Sequence, residues 1–180
     1  MPKVFLLLCL IILWVSAFAQ QPSVLLRVEE NHPLIVYADS SFQHISTIVT
    51  YNEDLVPPIC VVRREGSFFY YGTVYVEDVE EEIAYEGYVG KLYCFGILYP
   101  DYYSKNGDGL LSSYIHLYSR PSKDSSYLLL PLDNKEIKAI PLSFVNKDNT
   151  QFANVLFMYN HKLMLGFVTR LCTQVYTTCN

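Results

Sequence analysis

Val56-Pro57-Pro58-Ile59-Cys60-Val61-Val62-Arg63-Arg64-Glu65-Gly66-Ser67-Phe68-Phe69-Tyr70-Tyr71-Gly72-Thr73-Val74-Tyr75-Val76 is the stretch on which the fold turns. β-Branched and aromatic residues flank a Glu65-Gly66 turn signal. It reads as a hairpin of two strands, Ile59 to Arg64 and Ser67 to Val76. The same texture continues outward. Ser23 to Val28, Pro33 to Ala38 and Phe42 to Tyr51 read as strands before it. Tyr85 to Leu98, Tyr114 to Tyr118, Tyr127 to Leu130, Ile137 to Phe144, Ala153 to Tyr159 and Lys162 to Val168 read as strands after it. Gly87, Gly90 and Gly96 inside Tyr85 to Leu98 suggest bulges or close backbone approach. Only the acidic run from Val76 to Tyr85 has room for a turn or two of helix. Pro100 to Gly109 and Arg120 to Ser126 are the most loop-like stretches. Many short strands with closely spaced turns predict an all-β, antiparallel sandwich or barrel.

The ends of the chain add a compartment. Lys3, the apolar run Val4 to Val15 and Ala17-Phe18-Ala19 have the layout of a secretory signal peptide, expected to be cleaved after Ala19. Residues 20–180 are then one secreted, extracellular domain. No later apolar run is long enough for a membrane helix. The chain carries 13 basic and 18 acidic side chains, net −5. That balance argues against nucleic acid or an anionic membrane as partner. Cleavage removes Cys9 and leaves Cys60, Cys94, Cys172 and Cys179. An even number in an exported chain predicts two disulfides. Cys60–Cys94 and Cys172–Cys179 are the favoured pairs, and a disulfide-stapled domain follows. No Cys-x-x-Cys occurs and no His lies near either pair, so no metal is expected.

Two segments share an order of features. Val56-Pro57-Pro58-Ile59 and Ile140-Pro141-Leu142 each lead through a polar turn to an aromatic-rich strand, Phe68 to Val76 and Phe152 to Tyr159. Each ends near a Cys, in Gly87-Tyr88-Val89-Gly90-Lys91-Leu92-Tyr93-Cys94 and Gly166-Phe167-Val168-Thr169-Arg170-Leu171-Cys172. Repeats at 56–98 and 140–178 are the expectation, as two related halves sharing a core. With Tyr71-Gly72-Thr73 and Gly90-Lys91 in the first half and Gly166 in the second, residues 56–178 resemble the invertebrate tandem-repeat secreted proteins described as farnesoic acid methyltransferase-like. Some of those are mannose-binding lectins. The resemblance implies sugar binding.

Motifs for catalysis are missing. His32, His44, His116 and His161 have no metalloprotease spacing, and no nucleophile elbow, phosphate loop or dinucleotide fingerprint occurs. No cofactor is expected. Glu77-Asp78-Val79-Glu80-Glu81-Glu82 reads as a solvated face and Asn106-Gly107-Asp108-Gly109 as a turn. The sixteen Tyr are the unusual feature. Each offers apolar area and one hydroxyl at small entropic cost, which suits recognition of sugars or protein surfaces. The expected function is a non-catalytic extracellular binding module, with carbohydrate leading. The site residues are Asp54, Tyr71, Lys91, Asp101, Tyr102 and Tyr103, with Tyr102 and Tyr103 the expected exposed pair. Carboxylate and ammonium groups would hydrogen-bond sugar hydroxyls while Tyr rings pack on the sugar face. The alternatives are a lipocalin-like carrier of a small hydrophobic ligand, a secreted enzyme, and a structural, protein-interaction or inhibitory protein.

Overall fold

The computed structural model describes residues 22–27, 33–49, 57–77, 82–105, 111–132 and 136–173. The expected signal peptide, Asp54, the Asn106 to Gly109 turn and Cys179 lie outside the described residues. Fourteen strands follow one another: β1 (Ser23–Leu26), β2 (Leu34–Tyr37), β3 (Ile45–Val49), β4 (Ile59–Glu65), β5 (Phe69–Glu77), β6 (Glu82–Gly90), β7 (Cys94–Leu98), β8 (Tyr102–Lys105), β9 (Leu111–Tyr118), β10 (Tyr127–Pro131), β11 (Lys138–Lys147), β12 (Thr150–Tyr159), β13 (Lys162–Val168) and β14 (Leu171–Cys172). The only helical turn among the described residues is a 3-10 turn at Lys91–Tyr93. All pairings are antiparallel, and the strands form a single sheet that does not close. The all-β antiparallel class read from the β-branched and aromatic texture is the class observed.

Strand order reveals a duplication. From β1 outward the first half runs β1-β4-β5-β6-β2-β3, and from β7 the second runs β7-β11-β12-β13-β9-β10. The two orders become identical when β1 to β6 are matched, in sequence, with β7 and β9 to β13. The extra strand β8 pairs on β9. Details match as well. β4 and β11 each carry one extra residue against their partner, Arg63 between Val62 and Arg64 and Leu142 between Pro141 and Ser143. Tyr88 pairs with Tyr37 in the first half, and Phe167 with Tyr118 in the second. After each half the chain returns to that half's first strand: β7 pairs with β1, and β14 pairs with β7. The repeated strand order takes in β1 to β3 and β7 to β10 as well as the strands of 56–98 and 140–178.

Each half has its own apolar interior. Val24, Leu26, Val36, Tyr70, Val74 and Val89 belong to the first, and Ile115, Leu117, Val155, Phe157 and Val168 to the second. Phe144 on β11 packs against both. The alternation of strand residues puts these side chains on one face, while the other mixes polar residues with exposed apolar ones such as Met158, Leu163 and Leu165. Each fully buried Leu, Val or Phe contributes about 1.5–3 kcal/mol. Two tight hairpins in the second half turn on consecutive left-handed residues, Asp148-Asn149 and Asn160-His161. That conformation matches the right-handed strand twist and favours Asn and Asp.

Three expectations are corrected. The Val76 to Tyr85 stretch holds no helix at its described ends, where Glu77 pairs with Glu82 across the β5–β6 hairpin. Tyr102 to Lys105 is a strand, β8, where a loop was expected, because Leu111 to Tyr114 offers it a partner edge. The Cys60–Cys94 disulfide is not formed, and both are free, buried thiols. The reason is sheet order. Cys60 pairs with Val24 and Cys94 with Leu26, on opposite sides of β1. An intervening strand sets their backbones roughly 10 Å apart, beyond the ~7 Å within which a disulfide closes. Burial pushes the Cys60 thiol up to about 12 and raises Cys94 well above the ordinary range.

Candidate functional site

Of the six expected positions Asp54 lies outside the described residues, and the other five do not gather into one site. Lys91 is buried at the seam between the halves, 6 % exposed. Its Nζ donates to Glu65 Oε1 at 2.7 Å and to the Leu142 carbonyl, and it sits 4.8 Å from the centre of the Tyr70 ring. Beside it the Tyr70 hydroxyl donates to the Pro141 carbonyl at 2.9 Å. These groups from the first half grip the bulge of β11 in the second. Lys91 is thus a structural tie with its charge already matched. A buried ammonium without partners would be far too costly. In the second half Ala153 stands where Tyr70 stands in the first. Ala153 lines a small cleft with Phe144, Val168 and Thr169.

Asp101 and Tyr102 come together with residues that sequence reasoning passed over. On β9 the alternation sends Ser113, Ile115 and Leu117 inward and Tyr114, His116 and Tyr118 to the other face. β8 brings Tyr102 opposite Tyr114, and β10 brings Tyr127 opposite Tyr118. The result is a ring of aromatics about His116. Tyr127 is 4.6 Å, Tyr118 5.7 Å and Tyr102 5.9 Å away, centre to centre. Tyr102 also meets Tyr114 at 5.8 Å, and Tyr118 meets Tyr127 at 5.8 Å. Tyr102 and Tyr127 are 44 % and 53 % exposed, so the cluster opens to solvent. Tyr118 is buried, and burial raises its hydroxyl's pKa, with Asp101 and Tyr127 adding to the rise.

Asp101 orients His116. One carboxylate oxygen accepts from His116 Nδ1 at 2.8 Å and from the His116 backbone N–H at 3.1 Å. The other accepts from the Thr169 hydroxyl at 3.3 Å. Next to it, Arg170 donates to the Pro100 carbonyl at 2.8 Å and lies over Tyr99, which fixes the segment carrying Asp101. A carboxylate only accepts, so Nδ1 carries the proton and Nε2 is left for a ligand. Thr169 bonds Asp101 rather than His116. Among the described residues the imidazole's side-chain hydrogen-bond partner is the Asp101 carboxylate. Tyr103 is exposed but points to the other side of β8 from Tyr102, opposite Ser113.

Tyr71 belongs to a separate cluster in the first half. Its ring lies 4.7 Å from Tyr88, and its hydroxyl donates to Glu86 Oε1 at 2.5 Å. Glu86 also accepts from Arg63 at 3.1 Å. In the second half Tyr71, Tyr88 and Glu86 are matched by Asn154, Phe167 and Leu165, so the carboxylate and both hydroxyls are missing there. The His116 cluster was missed because its members come from three strands separated by loops. The sole sequence signal was the alternation Tyr114-x-His116-x-Tyr118. No family model, no curated protein and no solved structure matches this chain.

Proposed function

We propose that this protein is a secreted, non-catalytic module that binds carbohydrate on the outer face of β8, β9 and β10. The ring of Tyr102, Tyr114, Tyr118 and Tyr127 about an Asp101-oriented His116 carries the reading. Tyr faces pack on the apolar side of a sugar ring, and His116 Nε2 with the Tyr hydroxyls meets its hydroxyl groups. The positions are held by strands rather than by a loop, which keeps such a site in its binding geometry. Lys3, Val4 to Val15 and Ala17 to Ala19 support export. Lys91, matched inside the seam, takes no part.

A glycan array with the purified protein, read with calcium and then with EDTA, tests the reading. Selective binding that survives EDTA is expected, with Tyr102→Ala and His116→Ala each losing at least tenfold. A blank array from correctly folded protein overturns it.

A further inference from the structure

The bulge in β4 gives the first half something the second does not have. One extra residue in the strand turns two successive side chains, Arg63 and Arg64, toward the face that carries Glu86 and Tyr88. Arg63 pairs with Glu86. Arg64 makes no ion pair among the described residues. Its guanidinium lies 5.3 Å from the Tyr71 ring centre and 5.5 Å from that of Tyr88, and one nitrogen donates to the Tyr88 hydroxyl. Two rings thus hold an unmatched cation in one orientation.

The donors left over define the ligand. A guanidinium has five N–H groups, and Arg64 spends one on Tyr88. The Tyr88 oxygen accepts that bond, so its own hydrogen is free to donate. Glu86 already takes Arg63 and the Tyr71 hydroxyl on Oε1. Among the described residues Glu65 is taken by Lys91, and Asp39, two residues beyond the Tyr37 that pairs with Tyr88, is engaged by Ser41 and His44. The spot therefore offers the spare donors of an unpaired guanidinium. The acidic end of the β5–β6 hairpin at Glu77 and Glu82 lies about 20 Å along the strands, beyond the ~8–10 Å reach of unscreened charge at physiological salt. In the second half the same bulge presents Leu142 and Ser143, so no such cation stands there.

We infer that Arg64, Tyr71 and Tyr88 form a second ligand site, one that takes the carboxylate of an acidic sugar of the uronic acid class. The inference rests on the carbohydrate reading above and extends it to a different ligand and the other half of the sheet. A planar carboxylate accepts two parallel N–H bonds from the guanidinium fork, with the Tyr88 hydroxyl as a third donor.

The test is an NMR titration of the full protein with methyl β-D-glucuronide and, separately, methyl β-D-glucoside. The arginine Nε–H signals and the affinities are followed at low salt and at 0.3 M salt. The glucuronide is expected to shift the Arg64 signal and to bind at least tenfold more tightly than the glucoside, with that preference shrinking severalfold at high salt. Arg64→Gln should erase the preference without moving the melting temperature. Arg64→Lys should keep only a small part of it, because the charge remains but the fork is gone. Equal affinities for the two sugars, or a preference that survives Arg64→Gln, overturns the inference. If the array finds neutral sugars and the glucuronide preference is absent, only this site falls. If no sugar binds at all, the carbohydrate reading falls with it.

Discussion

Gly87 and Gly166 hold the same station in the two halves of the sheet. A Cβ on Gly87 would lie 2.4 Å from Val36 Cγ1 and 2.8 Å from the Tyr37 carbonyl oxygen. On Gly166 it would lie 2.7 Å from Leu117 Cδ1 and 3.0 Å from the Tyr118 carbonyl oxygen. At both places β6 or β13 crosses close over the strand that ends in a paired Tyr, and only hydrogen fits. Gly87→Ala and Gly166→Ala should each destabilise by about 1–3 kcal/mol, the usual cost of overpacking. Denaturant midpoints measure it, with Gly87→Ala the worse because both of its contacts are shorter.

Lys91 should behave as a structural residue. Lys91→Met leaves Glu65, itself partly buried, and the Leu142 carbonyl without their donor. Breaking one side of a buried pair costs about 3–5 kcal/mol. The lower end applies because Glu65 retains some solvent. The double variant Lys91→Met, Glu65→Gln should recover part of the loss. Binding to any glycan found on the array should persist wherever the variant is folded, and a selective loss of binding at full stability would reverse this assignment.

The buried thiols make two tests. Iodoacetamide should spare Cys60 and Cys94 in the native protein and label both in guanidinium without reductant, as peptide mapping by mass spectrometry would show. Stability should also fall at high pH. The folded state keeps Cys60 protonated up to about 12, whereas an exposed thiol ionises near ~8.5. Protons are then held by the native state and released on unfolding. The contribution is complete below the unfolded value and is lost, at up to about 1.4 kcal/mol per pH unit, as pH rises toward the folded one.

Asp39 sets an acid limit on its turn. The Ser41 hydroxyl and then His44 hold its carboxyl down at about 2. The sign is opposite to that of the thiol. This contribution is present above the ordinary carboxylate range near ~4 and vanishes as pH falls through the folded value. A carbon-detected NMR titration should place the Asp39 midpoint near 2, and Ser41→Ala should move it upward.

Part of this architecture was legible in the chain. The Glu65-Gly66 hairpin, most strands and the match of Gly87-Tyr88-Val89 with Gly166-Phe167-Val168 follow from alternation, β-branched residues and turn chemistry, which act between near neighbours. β8 is not legible, because Tyr102 to Lys105 sits between Pro100 and the residues Asn106-Gly107-Asp108-Gly109, whose composition reads as a loop, and it becomes a strand by pairing with β9. Asp101 and Tyr102 stand out in the sequence one by one, but His116, which brings them together, carries no signal there beyond its alternation with Tyr114 and Tyr118.

From its residues alone this protein had its strand content, its turns and the outline of a repeat decided, because those depend on what each residue does to its own backbone. The strand order was decided only in three dimensions. That order put β1 between Cys60 and Cys94 and kept them reduced. It drew Lys91 inside against Glu65 and the Leu142 carbonyl, and it aligned Tyr102, His116 and Tyr127 on one face. Such pairings join residues far apart in the chain, and they are chosen by which apolar faces can be buried together.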